Sequence, residues 1–182
     1  MKKVLFVFTL LISCALIAQD QFKNEVIGNM TFTKGRIVQL ADAMPDDKFG
    51  WAPAESVRSY SSVIGHVVAA NYFFGMKLGG TIPDGIDPMN IEKSLTTKTE
   101  LTKALNESHD FVTAAIRNLK AEDMSSKVDM PFTGDFTKMS LVNIVMNHAS
   151  EHMGQMIAYA RMNGITPPWS MPMKSDDEVS DN

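Results

Sequence analysis

The chain predicts an all-α fold, a four-helix bundle, and three observations lead there. Four stretches carry apolar residues at recurring three- and four-residue spacings, the signature of amphipathic helices. Between them, no run alternates apolar and polar residues as a half-buried strand would. Clusters of Pro and Gly fall in the connections, where they would end helices rather than interrupt them. With 182 residues, 45% of them hydrophobic, there is enough apolar material for one domain with a single core.

The first helix is expected from about Phe22 to Met44, with Phe22, Val26, Met30, Ile37, Leu40 and Met44 along one stripe. Pro45 stops it, and Pro45-Asp46-Asp47 reads as a turn. Gly50 and Pro53 keep the next segment irregular, with Trp51 placed to cover one end of the core. The second helix spans about Ser59 to Leu78 and turns Val63, His66, Val67, Ala70, Phe73 and Phe74 inward. Gly79-Gly80 ends it, and a long surface connection runs from Thr81 to Asn90. A third helix, about Lys98 to Leu119, presents Leu101, Leu105, Val112, Ile116 and Leu119. Pro131 and Gly134 make the link from Ala121 to Thr137 a short hairpin-like excursion. The fourth helix covers about Ser140 to Met162, with Asn163-Gly164 as its stop. The long connections after the second and third helices permit a crossover. Fourteen methionines suggest a core filled largely by flexible thioether side chains.

The two ends fall outside the bundle, which is expected over residues 20–170. Lys2 and Lys3 precede VLFVFTLLISCALIA, which gives way abruptly to Gln19-Asp20. A basic flank, an apolar middle and small residues at the end describe a secretory signal peptide over residues 1–18, removed after Ala18 or Ala15. About 15 apolar residues fall just short of a full membrane span. The expected location is therefore the bacterial periplasm or cell envelope. Cys14, the only cysteine, follows Leu11-Ile12-Ser13 in an arrangement resembling a lipoprotein box. A membrane is a partner only if Cys14 is lipidated or the segment is retained. A lone Cys gives no disulfide framework. The polar stretch over 171–182 reads as a disordered tail.

Charge narrows the function. A net charge of −4, with no Lys/Arg cluster longer than two, leaves no basic stripe for nucleic acid. The chemistry-bearing residues are histidines. His148 and His152 stand four apart in NHASEHMGQMIAYARMNG, about 40° from one another around a helix, so both can address one ion. Leu141, Ile144, Val145 and Met156 share their face, which turns both imidazoles inward. His66, in SSVIGHVVAANYFF, lies on the inward face of the second helix with Ala70 leaving space one turn on. Buried imidazoles cost free energy unless their nitrogens find partners, and a shared divalent cation satisfies all three. Three protein ligands would leave coordination positions for water or a substrate, as catalytic sites require.

Three neighbours enter the reading. Glu151 completes H-x-x-E-H, the inverzincin signature, and as an auxiliary base it would act on water at the metal. It projects about 60° to the side of His148, at the edge of the apolar stripe. His109, beside Leu105 and Val112, reads as a rim or core residue, or as a fourth ligand that would close the site. Gln155 lies one step beyond His152 and could orient it.

The Met44-Pro45 to Trp51-Ala52-Pro53 loop, the SSVIGHVVAANYFF helix and NHASEHMGQMIAYARMNGITPP together resemble the DinB-like superfamily, including its YfiT-type metalloproteins, from about Phe22 to Pro168. The resemblance implies a four-helix bundle with unusual connectivity, frequently a homodimer. It also implies a divalent metal, zinc or nickel, on His66, His148 and His152, with Gly154-Gln155 following the family pattern. Family members with assigned activity use small thiols as S-transferases or isomerases, so a small-molecule substrate or thiol is the implied partner. Those thiols are cytosolic, whereas this N-terminus reads as an export signal, which leaves metal-assisted hydrolysis, or metal binding without turnover, open.

Overall fold

A computed structural model describes the backbone of residues 2–171 and the side chains of residues 18–171. Five helices occur in it: α1 (Lys2–Ala43), α2 (Tyr60–Lys77), a single-turn α3 (Ile91–Ser94), α4 (Lys98–Asn118) and α5 (Lys138–Met162). The four long ones form the bundle. Strands β1 (Lys127–Val128) and β2 (Phe136–Thr137) pair antiparallel, Lys127 opposite Thr137, as the hairpin-like link between α4 and α5.

Local chemistry sets the boundaries. Ser59 caps α2 by accepting from the Ser62 amide, and Thr97 caps α4 in a reciprocal box with Glu100. Thr137 caps α5 from the end of β2, pairing reciprocally with Ser140. Gly164, at φ +77°, lets the chain turn away after α5. Helices α2, α4 and α5 match their expected limits within about two residues.

Helix α1 differs from expectation at its start. Its backbone is helical from Lys2 without a break, because nothing between Lys2 and Phe22 is a Pro or Gly. The side chains of 1–17, on which the cleavage and lipidation readings rest, lie outside the described residues, as does the tail from 172 onward. Among the described residues, no helix is long and apolar enough to cross a membrane.

Neighbour relations around the bundle are not those of simple up-and-down packing. Helices α1 and α2 each pack chiefly against α4 and α5, so the consecutive pairs α1/α2 and α4/α5 lie across the bundle from one another. The crossovers therefore follow the first and third long helices. The long connection after α2 joins neighbours instead, which corrects the expectation of a crossover there.

The core divides into two clusters along the bundle. One gathers Ile37, Leu40, Tyr60, Val63, Leu101 and Met156; the other gathers Val26, Phe74, Val112, Ile116, Leu141 and Val145. Both are built mainly from Val, Ile and Leu. Among the described methionines only Met30, Met44, Met124 and Met156 are buried, and Met76, Met89, Met139, Met162 and Met171 are exposed, so the methionine-filled core does not hold. Methionine is a good helix former and is tolerated on exposed faces. The histidines lie where the clusters meet, His66 between Val63 and Ala70 on α2, His148 and His152 between Val145 and Met156 on α5.

Candidate metal centre

His66, His148 and His152 come together. Their ligand nitrogens lie within 4.8 Å of one another, and among the described residues this is the group of three that could hold a metal ion. His148 Nε2 stands 3.1 Å from His66 Nε2 and 3.2 Å from His152 Nε2. Two nitrogens bound at ~2.0–2.1 Å to a tetrahedral zinc would lie about 3.3 Å apart, so the two pairs that His148 makes fit that coordination. Hydrogen bonding alone fits poorly. A ring nitrogen has one hydrogen or one lone pair, and His148 Nε2 faces two other nitrogens at once.

Further residues fix the outer nitrogens. His152 Nδ1 donates to the Gln155 side-chain oxygen at 2.9 Å, and Gln155 Nε2 donates to the Tyr159 hydroxyl at 2.8 Å. An amide oxygen can only accept, so Nδ1 carries the hydrogen and Nε2 presents its lone pair. Trp51 meets Tyr159 edge-on with ring centroids 5.4 Å apart, which braces this arm and gives Trp51 its covering role. On the other arm His66 Nδ1 lies 3.4 Å from Glu92 Oε2, and Arg58 Nε donates to Glu92 Oε1 at 2.7 Å. A carboxylate behind a ligating imidazole orients the ring and raises its basicity.

Burial and nearby cationic groups keep His66 and His148 unprotonated. Burial, with the neighbouring His152, His66 and Arg58, pushes His148 down to about 3. His66 is lowered by burial first, then by Arg58 and His152, with Glu92 opposing. Both thus offer lone pairs at neutral pH.

Beside His66 and His148 opens a cavity of ≈ 490 Å³, which Glu92 also lines. Ala69, Ala70, Phe73, Phe74 and Ile144 form much of its wall. His152 is buried and is not among the residues that line it.

The other sequence candidates fall elsewhere. Glu151 is exposed and borders neither the triad nor the cavity. Its offset from the inward stripe carries it to the outer face of α5. The carboxylate that reaches the histidines is Glu92, which the pattern reading missed. It sits on a one-turn helix too short to show a period, and its only local signal is Ile91, the buried residue beside it. His109 is buried on α4, its ring nitrogens 3.4 Å from Thr31 Oγ1 and from Asp110 Oδ1, so it is a core residue apart from the triad.

Comparison with known proteins agrees with the fold. The family model described as the DinB superfamily matches residues 30–156. The uncharacterized protein YjoA of Bacillus subtilis is 21% identical over 145 residues, covering 79% of this chain and 92% of YjoA. The crystal structure of that DinB-like protein superposes with a TM-score of 0.61 at 20% identity, over 82% of this chain and 96% of its own. A DinB-like protein from Bacillus cereus gives 0.65 at 17% identity, over 79% and 93% of the two chains. YfiT from Bacillus subtilis, described as "a probable metal-dependent hydrolase with an unusual four-helix bundle topology", gives 0.63 at 16%, over 79% and 89%. The crossed helix order, the histidines shared between α2 and α5, and a family match over most of the bundle lead to one assignment: this chain belongs to the DinB superfamily.

Proposed function

We propose that this protein is an exported metal-dependent enzyme, a hydrolase before a thiol transferase, in which His66, His148 and His152 hold one divalent cation, zinc or nickel. The observation that carries this reading is the meeting of three imidazole nitrogens, two of whose rings line a cavity large enough for a small molecule. A divalent cation there would supply Lewis-acid polarisation and lower the pKa of a bound water or thiol. An all-imidazole donor set suits zinc and nickel alike.

The chain's own residues divide the work. His66 and His148 border the cavity and set the side from which a substrate approaches. Glu92 holds the His66 ring, and Gln155 with Tyr159 holds His152. Glu92 also borders the cavity, where its carboxylate can accept a proton from a reacting group. The apolar N-terminal run supports export, away from cytosolic thiols, and this favours hydrolysis. The likeness to YfiT, described as a probable metal-dependent hydrolase, points the same way.

The test is turnover of a panel of aryl and acyl esters by the zinc- and nickel-loaded protein. Hydrolysis that disappears on chelation and in His152→Ala, and returns with added metal in the parent chain, is expected. Turnover that survives complete metal removal overturns the mechanism. Stoichiometric metal with no turnover across the panel favours a metal-binding module without catalysis.

A further inference from the structure

The cavity beside the histidines is almost devoid of polar chemistry. Of the described side chains around it only His66, His148 and Glu92 carry polar groups. All three belong to the histidine cluster, the histidines lying against one another and Glu92 against Arg58 and His66. Among the described residues, no lysine, arginine, serine, threonine, asparagine or glutamine borders it to meet a charge or hydroxyl on a bound molecule. Placing such groups there would strip them of water without replacement, which costs free energy.

We infer that the cavity takes a small organic molecule with an uncharged hydrocarbon or aromatic body, its reacting head directed at His66 and His148. The placement of the head rests on the metal-centre reading; the chemistry of the body does not. Ala69 and Ala70 keep the wall low beside the His66 ring, and Phe73 and Phe74 add flat aromatic surface. At the rim stand Met89, 84% exposed, and Phe132, 47% exposed, large apolar side chains facing water. A flexible thioether and an aromatic ring at an open mouth can close over an apolar body of variable shape. The ≈ 490 Å³ volume lies in the range of small-ligand sites. The chain's own C-terminal stretch from Lys174 to Asn182 is polar and acidic, the wrong chemistry for this lining.

Alkyl hydroxamates test this on the zinc-loaded full chain by calorimetry. The head addresses the metal and the tail reports the cavity. Octanohydroxamate is expected to bind at least a hundredfold tighter than acetohydroxamate, since each buried methylene contributes about threefold or more. Suberic acid monohydroxamate, whose tail ends in a carboxylate, is expected to lose at least tenfold against octanohydroxamate. Ala69→Trp fills the cavity and is expected to remove the chain-length gain, zinc content reporting that the histidines are intact. Ile144→Trp fills it from α5 if the first variant does not fold. Affinity independent of chain length, or a charged tail bound as tightly as the alkyl one, overturns the inference. Phenylnaphthylamine fluorescence on chelator-treated protein separates the two readings. Binding that Ala69→Trp abolishes supports the cavity even if zinc is not held, and absence of binding overturns it.

Discussion

At the scale of single residues, His148 is the pivot. Its Nε2 is within 3.2 Å of both other Nε2 atoms, and burial with three nearby nitrogenous groups holds it at about 3. The fold thus favours the neutral ring, and acid unfolding takes up a proton there. The stability this gives is complete above about 6.5, the unfolded value, and is lost as pH falls toward 3. Metal-free protein is expected to unfold at lower urea at pH 5 than at pH 7, and His148→Asn to flatten that difference; an equal pH dependence in the variant contradicts the assignment. Glu92 acts through His66, so Glu92→Gln is expected to weaken zinc binding about 10–100-fold without unfolding the bundle. Zinc affinity unchanged in a competition titration with a chromophoric chelator would assign Glu92 to Arg58 alone. The triad itself was legible in the sequence, because an i,i+4 pair on an apolar stripe has no comfortable bland role. Glu92 was not, since its partner lies 26 positions away on another helix.

At the scale of elements, two glycines on α2 set how closely its neighbours approach. A Cβ at Gly65 would stand 3.1 Å from the Glu92 Cα, so a bare backbone beside His66 is what lets α3 bring its carboxylate in. A Cβ at Gly75 would meet the Phe111 ring at 2.5 Å and the Val112 Cα at 3.3 Å, where α4 crosses. Alanine is better than glycine inside a helix by about 1 kcal/mol, yet overpacking costs ~1–3 kcal/mol. Gly75→Ala is therefore expected to destabilise the protein in urea unfolding; a stabilised variant would show that α2 and α4 are not so close. The stripe was most readable on α4, where Leu101, Leu105, Val112, Ile116 and Leu119 are each buried as their spacing requires; on the other long helices Phe22, Phe73 and Ile144 are only partly buried. The start of α1 was not, because an apolar run and an amphipathic helix join without any breaker residue between them.

At the scale of the whole molecule, the crossed order places α2 beside α5, and this adjacency is what makes one site from two helices. Periodicity shows which face of a helix turns inward but not which helix it meets, so the position of the crossovers had to come from the packing. The connections contribute to the candidate site in their turn, α3 supplying Glu92 and the β1–β2 loop supplying Phe132 to the cavity lining. The most direct measurement is calorimetric titration of zinc into the metal-free parent chain and into His66→Ala, His148→Ala and His152→Ala, each variant first checked for folding. One cation per parent chain, and at least a hundredfold weaker binding in every variant, is expected if three nitrogens share one ion. Undiminished zinc binding in any of the three folded variants would contradict a common centre.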